Sequence, residues 1–245
     1  MSEERPHHVE YQTRAGYQTV IADDGKQFAA FGAQPLLGQR FPAIVLLHDW
    51  WGLTASVRAL AVQMAQAGYY VIAPDLFDGR TADTAREAAS LVELIARKKR
   101  FARVLDAFEV VEQHQHTMHQ VAVVGVGLGG SLAFRAAIQY PHREKAAIAF
   151  SGFPQTYMGK FRHCPVPVLA VYGSDDHLIP QKMIDALRTE LAAADRHDAH
   201  RVVVMPGAGH DLFPEDADGD DRATSARALA HALTFLEHHV RNVSA

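Results

Sequence analysis

The chain reads as an α/β protein, a mostly parallel twisted sheet with helices on both faces and no large lid domain. Three observations predict this. Short β-branched runs alternate with stretches of helical periodicity along nearly the whole sequence. Two of those runs, 43–47 and 146–150, are apolar at every position, as befits strands covered on both faces. The 245 residues are 48% hydrophobic, enough for a large buried core.

The elements follow in order. Segments 17–22 and 27–32 flank the turn Asp23-Asp24-Gly25 and read as an antiparallel edge hairpin. Strand 43–47 precedes a helix over 54–67 that stops at Gly68. Strand 69–73 closes at Pro74, and helices are expected over about 83–96 and 98–114. Strand 121–125 turns into a helix from Gly129 to Tyr140, ended by Pro141. Strands 146–150 and 166–172, helix 180–194, strand 201–205 and helix 221–240 complete the chain. Right-handed crossovers would bring the loops after the strands to one rim, where ligands bind. The short interval between 150 and 166 leaves no room for an inserted lid.

One domain over 1–245 is expected, with residues 1–12 as a flexible lead. A net charge of −4 argues against nucleic acid or an anionic membrane as a partner. The single Cys164 forms no internal disulfide, the polar N-terminus is not a secretory leader, and no apolar run approaches the ~18 residues of a membrane helix. A cytoplasmic location is the expectation, with monomer or dimer left open. Among the 15 histidines, His114, His116 and His119 cluster where a helix ends. They read as a solvated helix end, so no metal and no cofactor are expected.

Four segments carry the chemistry. In Val121-Ala-Val-Val-Gly125-Val126-Gly127-Leu128-Gly129-Gly130 a strand turns sharply into a helix, which reads as a nucleophile elbow with glycine at the nucleophile position, Gly127. The Leu128 N–H would then be an oxyanion-hole donor. The same letters match a dinucleotide fingerprint, but this strand is not the first and no acidic residue closes the next one. Asp176 follows the strand 166–172, either as an orienting acid or as a helix cap, with Asp175 and Asp176 sharing the two roles. His210 stands in the glycine-rich loop Pro206-Gly-Ala-Gly209-His210, where a core-packing role is small, and as general base it would need Asp176. Leu46-Leu47-His48-Asp49-Trp50-Trp51-Gly52 follows the strand 43–47; Trp50 would supply the second oxyanion N–H, and Trp51 a pocket wall or a packed aromatic.

Together these segments, with Gly68-Tyr-Tyr-Val-Ile-Ala-Pro-Asp75-Leu76-Phe77, resemble the dienelactone hydrolase family of the α/β-hydrolase superfamily over roughly residues 15–240. The resemblance implies an α/β-hydrolase fold and cleavage of lactones and esters by a Cys or Ser, His and Asp triad. It makes His210 the base and Asp176 its orienting acid. It places Asp49 where the family has an acid beside the resting thiol, and Arg80 near an arginine that holds a substrate carboxylate. The sequence departs from the family at Gly127, at Asp211 after the histidine, and at Pro214 in place of a second arginine.

Two functions follow. One is a hydrolase of a small ester or lactone in which His210 activates water beside Gly127. The other is a non-catalytic binder of a small carboxylate or ester. Among substitute nucleophiles, Ser131 should face away and Cys164 should be remote, whereas Ser151, ending a neighbouring strand, is retained as a substrate-facing residue.

Overall fold

A computed structural model describes residues 10–22, 24–37, 40–97 and 101–241. The strands are β1 (Thr13–Ile21), β2 (Gln27–Pro35), β3 (Phe41–Leu47), β4 (Tyr70–Pro74), β5 (Thr117–Val126), β6 (Ala146–Phe150), β7 (Val168–Gly173) and β8 (Arg201–Met205). The helices are α1 (Ala55–Gln66), α2 (Ala85–Arg97), α3 (Ala102–Gln113), α4 (Leu128–Gln139), α5 (Gln181–Ala192) and α6 (Gly219–Leu236). The strands form one sheet in the order β1-β2-β4-β3-β5-β6-β7-β8. β1 and β2 pair antiparallel at its edge, and every pair from β4–β3 to β7–β8 is parallel.

Alternation along the strands divides the core in two. Val45, Leu47, Val121, Val123, Ala147, Ala149 and Tyr172 face α2, α3, α4 and α5. Ile44, Leu46, Ala122, Val124, Ile148, Phe150 and Val171 face α1 and α6. β3 and β7 are buried along their whole length, so each large aliphatic there contributes about 1.5–3 kcal/mol.

The differences from expectation have local causes. β5 begins at Thr117 rather than 121, because the Thr117 hydroxyl donates to the carbonyls of Val111 and His114 and opens the pairing early. The polar Thr117-Met-His-Gln stretch hid this from the hydrophobic pattern. α6 begins at Gly219, where Asp218 and Asp221 form a capping box, and its last turn widens into a π-helix at Glu237–Arg241. Residues 98–100, expected to open a helix, and 1–9 of the expected flexible lead lie outside the described residues. Residues 10–12 correct the rest of that lead: Tyr11 donates its N–H to Gln66 and packs edge-on against Phe41. Between β6 and β7 there are two short 3₁₀ turns and no inserted lid. Among the described residues no helix is long and apolar enough to cross a membrane, and no cluster of three or more His, Cys, Asp or Glu is placed to hold a metal.

Candidate active site

The loops after β3, β5, β6, β7 and β8 meet on one rim, tied together by hydrogen bonds. The turn after β7 holds Asp176 with its side chain fully buried. One of its oxygens accepts N–H bonds from Leu178 (2.8 Å) and Ile179 (3.0 Å). The other lies 2.8 Å from Nδ1 of His210, whose side chain stays 22% exposed. A carboxylate there accepts the Nδ1 proton, so the tautomer leaves Nε2 as a free base. The division of labour expected between Asp175 and Asp176 is corrected: Asp176 both shapes the turn and meets the histidine, whereas Asp175 is bonded to Ser174. α5 starts after Pro180 without a side-chain cap.

Between β5 and α4 the chain turns at Gly127, whose φ of +53° is a conformation that side-chain-bearing residues rarely adopt. The strand and helix approach so closely that a Cβ on Gly129 would lie 2.1 Å from the Leu47 carbonyl oxygen. The unpaired N–H groups at the start of α4 point to the rim. They are occupied. Asp49 Oδ1 accepts from Leu128 N–H at 2.8 Å and from Trp50 N–H at 2.6 Å. The two donors expected to form an oxyanion hole thus converge on one point, where the Asp49 carboxylate now sits. A Cβ at Gly127 would meet the same carboxylate, at 2.1 Å from Oδ1 and 2.4 Å from Cγ. Burial raises the Asp49 carboxyl above its ordinary range, against the opposing pull of the two N–H donors.

Trp50 and Trp51 pack edge-to-face, ring centroids 5.0 Å apart, both half-buried against the core. A cavity of about 30 Å³ lies between Asp49, Trp51, Thr54, Ser56, Val126, Asp211 and their neighbours. A wider depression of about 430 Å³ shares Trp51, Thr54, Ser56 and Asp211 with it. The cation lining that depression is Arg58, with Thr81 and Ala82 beside it, whereas Arg80, expected to hold a substrate carboxylate, is not among its lining residues. Arg80 is exposed, with its Nε turned back onto the Phe77 carbonyl of its own loop.

Ser151 is placed differently from the expectation. It is buried, and its hydroxyl donates to the His210 carbonyl at 2.6 Å, so it fixes the histidine loop and does not face a ligand. Its φ of +49° is the strained backbone that aims the hydroxyl there. Ser131 holds the N–H of Phe153, whose ring lies beside His210. Cys164 is buried before β7, at the opposite end of the sheet, and burial pushes its thiol up to about 11. His48 supports the site without having been read as functional: its Nε2 accepts from Leu76 N–H, and its Nδ1 donates to the Asp49 carbonyl at 2.7 Å. Full burial keeps that imidazole neutral by lowering its pKa. Glu215 adds a second support by capping α1 through the N–H of Ala55. Neither carries a sequence signal, since His48 is held by Leu76 from 28 residues away and Glu215 reaches Ala55 across 160 residues.

A mostly parallel sheet with a histidine–aspartate pair and a strand–glycine–helix turn on one rim defines an α/β hydrolase fold. Within that class the chain belongs to the dienelactone hydrolase family, whose pattern matches residues 28–240. It is 32% identical to a carboxymethylenebutenolidase of Rhodococcus opacus over 216 residues, 80% of this chain and 81% of that one. A dienelactone hydrolase of Anabaena variabilis superposes with a TM-score of 0.68 at 22% identity, covering 94% of this chain and all of the other (100%). A dienelactone hydrolase-like promiscuous phosphotriesterase from metagenomic libraries gives 0.76 at 18% identity, covering 92% and 99%. These two likenesses establish the fold.

Proposed function

We propose that the chain hydrolyses a small ester or lactone, with His210 as general base, Asp176 as its orienting acid and Gly127 at the vacated nucleophile position. The observation that supports this reading is the 2.8 Å pairing of His210 Nδ1 with a fully buried carboxylate, which a purely structural loop does not require. Water deprotonated by Nε2 attacks the carbonyl carbon. Asp49 withdraws, and the substrate oxygen replaces its Oδ1 on the N–H groups of Leu128 and Trp50. The tetrahedral intermediate collapses, and the imidazolium returns the proton to the leaving alkoxide. Triads stripped of one member retain roughly 10³–10⁴-fold catalysis over water, enough for an activated ester or strained lactone. The partner is a small molecule in this reading, and the location cytoplasmic.

The test is turnover of activated esters and lactones by the wild type beside His210→Ala. A fall of roughly 10²–10⁴-fold in the variant is expected. Equal rates would remove His210 from the mechanism. One observation favours a second reading, a non-catalytic binder of a small carboxylate or ester: Asp49 already fills the N–H pair, as a bound carboxylate would. Thermal stabilisation by small carboxylates without any ester turnover would select it.

A further inference from the structure

The Asp49 carboxylate has the placement of a nucleophile. It occupies the volume that an elbow side chain at Gly127 would fill. One oxygen, Oδ1, takes both backbone N–H groups, and among the described residues Oδ2 accepts no hydrogen bond. A cavity of about 30 Å³ beside this carboxylate is large enough for one water.

Attack of Asp49 on an ester carbonyl is disfavoured here, because the substrate oxyanion would need the two N–H groups that Oδ1 already holds. Attack on a saturated carbon creates no oxyanion on the substrate and leaves that cradle intact. We propose that Asp49 is a covalent nucleophile toward saturated carbon, and that the site hydrolyses primary alkyl halides to alcohols. This rests on the reading of His210 and Asp176 as a base and its orienter.

The steps balance. Oδ2 forms a bond to the carbon as the carbon–halogen bond breaks, releasing halide, which needs no proton. The product is an alkyl ester of Asp49 whose carbonyl oxygen is Oδ1, already between the Trp50 and Leu128 donors. His210 Nε2 takes a proton from water, and the hydroxide adds to Cγ of Asp49. The negative charge develops on Oδ1, where both N–H groups stabilise it. Collapse expels the alkoxide, which takes the proton from the imidazolium. The Asp49 acid then ionises, and one alkyl halide and one water have become one alcohol, one halide and one proton. The fixed N–H cradle serves the second step, in which the water attacks the protein and not the substrate.

The probe is 1-bromobutane. Wild type should release bromide, and Asp49→Asn, with thermal melting confirming that it folds, should release none above background. In His210→Ala the second step fails, so the protein should gain the mass of one butyl group, located on Asp49 within the tryptic segment 41–58. With wild type in excess over substrate in heavy-oxygen water, the first butanol should be unlabelled and the label should appear in Asp49. Labelled butanol in that first turnover, or absence of both bromide release and adduct, overturns the proposal. Ester turnover by the same preparations keeps the two readings apart. Ester hydrolysis without bromide release rejects only the nucleophilic Asp49, and bromide release without ester hydrolysis rejects only the ester reading.

Discussion

The side chain of Asp176 does two jobs with two oxygens, and this division makes its amide a sharp probe. In Asp176→Asn one oxygen can still accept from Leu178 and Ile179, but the amide then faces Nδ1 of His210 with a donor. The imidazole must present the other tautomer, and Nε2 ceases to be a base. We expect kcat for ester hydrolysis to fall roughly 10²–10⁴-fold with KM nearly unchanged. A rise in KM of the same size with kcat intact would show that Asp176 acts on binding. His210 and Asp176 were legible in the sequence because each follows a strand in a short loop with few structural uses for its side chain. The role of Ser151 was not, since its hydroxyl reaches His210 across 59 residues through a strained φ that no local pattern announces.

At the scale of the element, the turn from β5 into α4 depends on absent side chains. A Cβ on Gly125 would lie 2.1 Å from the Gly129 backbone, and one on Gly127 would strike Asp49. Gly127→Ala combines a positive φ with that collision. We expect a loss of about 1–3 kcal/mol from the backbone conformation, read by urea unfolding. We also expect Asp49 to leave the N–H groups of Leu128 and Trp50. Stability equal to wild type would mean that Asp49 moves without cost and does not hold the turn together. The elbow was readable from its spacing of glycines. The occupant of its centre was not, because Asp49 lies 79 residues from Leu128 and reaches it only when β3 and β5 are neighbours.

For the whole molecule, buried titratable groups set opposing pH slopes. Glu144 is buried with neither oxygen bonded among the described residues, and burial raises its pKa well above the usual carboxylate value. The folded state keeps a proton that the unfolded chain loses near pH 4.5, so stability falls as pH rises through the folded pKa. His200 accepts from Val168 N–H through Nδ1, and burial lowers its pKa to about 4. The unfolded chain takes up that proton from about pH 6.5 downward, so stability falls as pH drops from there to about 4. A tenfold difference in proton affinity between the folded and unfolded chain is worth about 1.4 kcal/mol, less where solvent reaches the group. Across pH 4.5–6.5 the two variants should therefore shift the pH dependence of urea unfolding in opposite directions relative to wild type. Glu144→Gln should make stability rise more steeply with pH, whereas His200→Asn should make it rise less steeply, with His48 and His239 keeping their own contributions. Parallel slopes would show that solvent reaches one of these groups.

The alternation of apolar runs and helical periods by itself determined the layered architecture, the edge hairpin and the absence of an inserted lid. Strands buried on both faces must be apolar throughout, and that signal is local. The chain order of Gly127, Asp176 and His210 likewise placed three loops on one rim, since parallel crossovers put the ends of strands together. Only the tertiary structure decided what fills that rim. The meeting of Asp49 with Leu128, the fixing of the His210 loop by Ser151 and the anchoring of His48 by the Leu76 N–H depend on the lateral order β4-β3-β5-β6-β7-β8. Hydrogen bonds between loops of different strands are set by which strands are neighbours, and no periodicity along one segment encodes that.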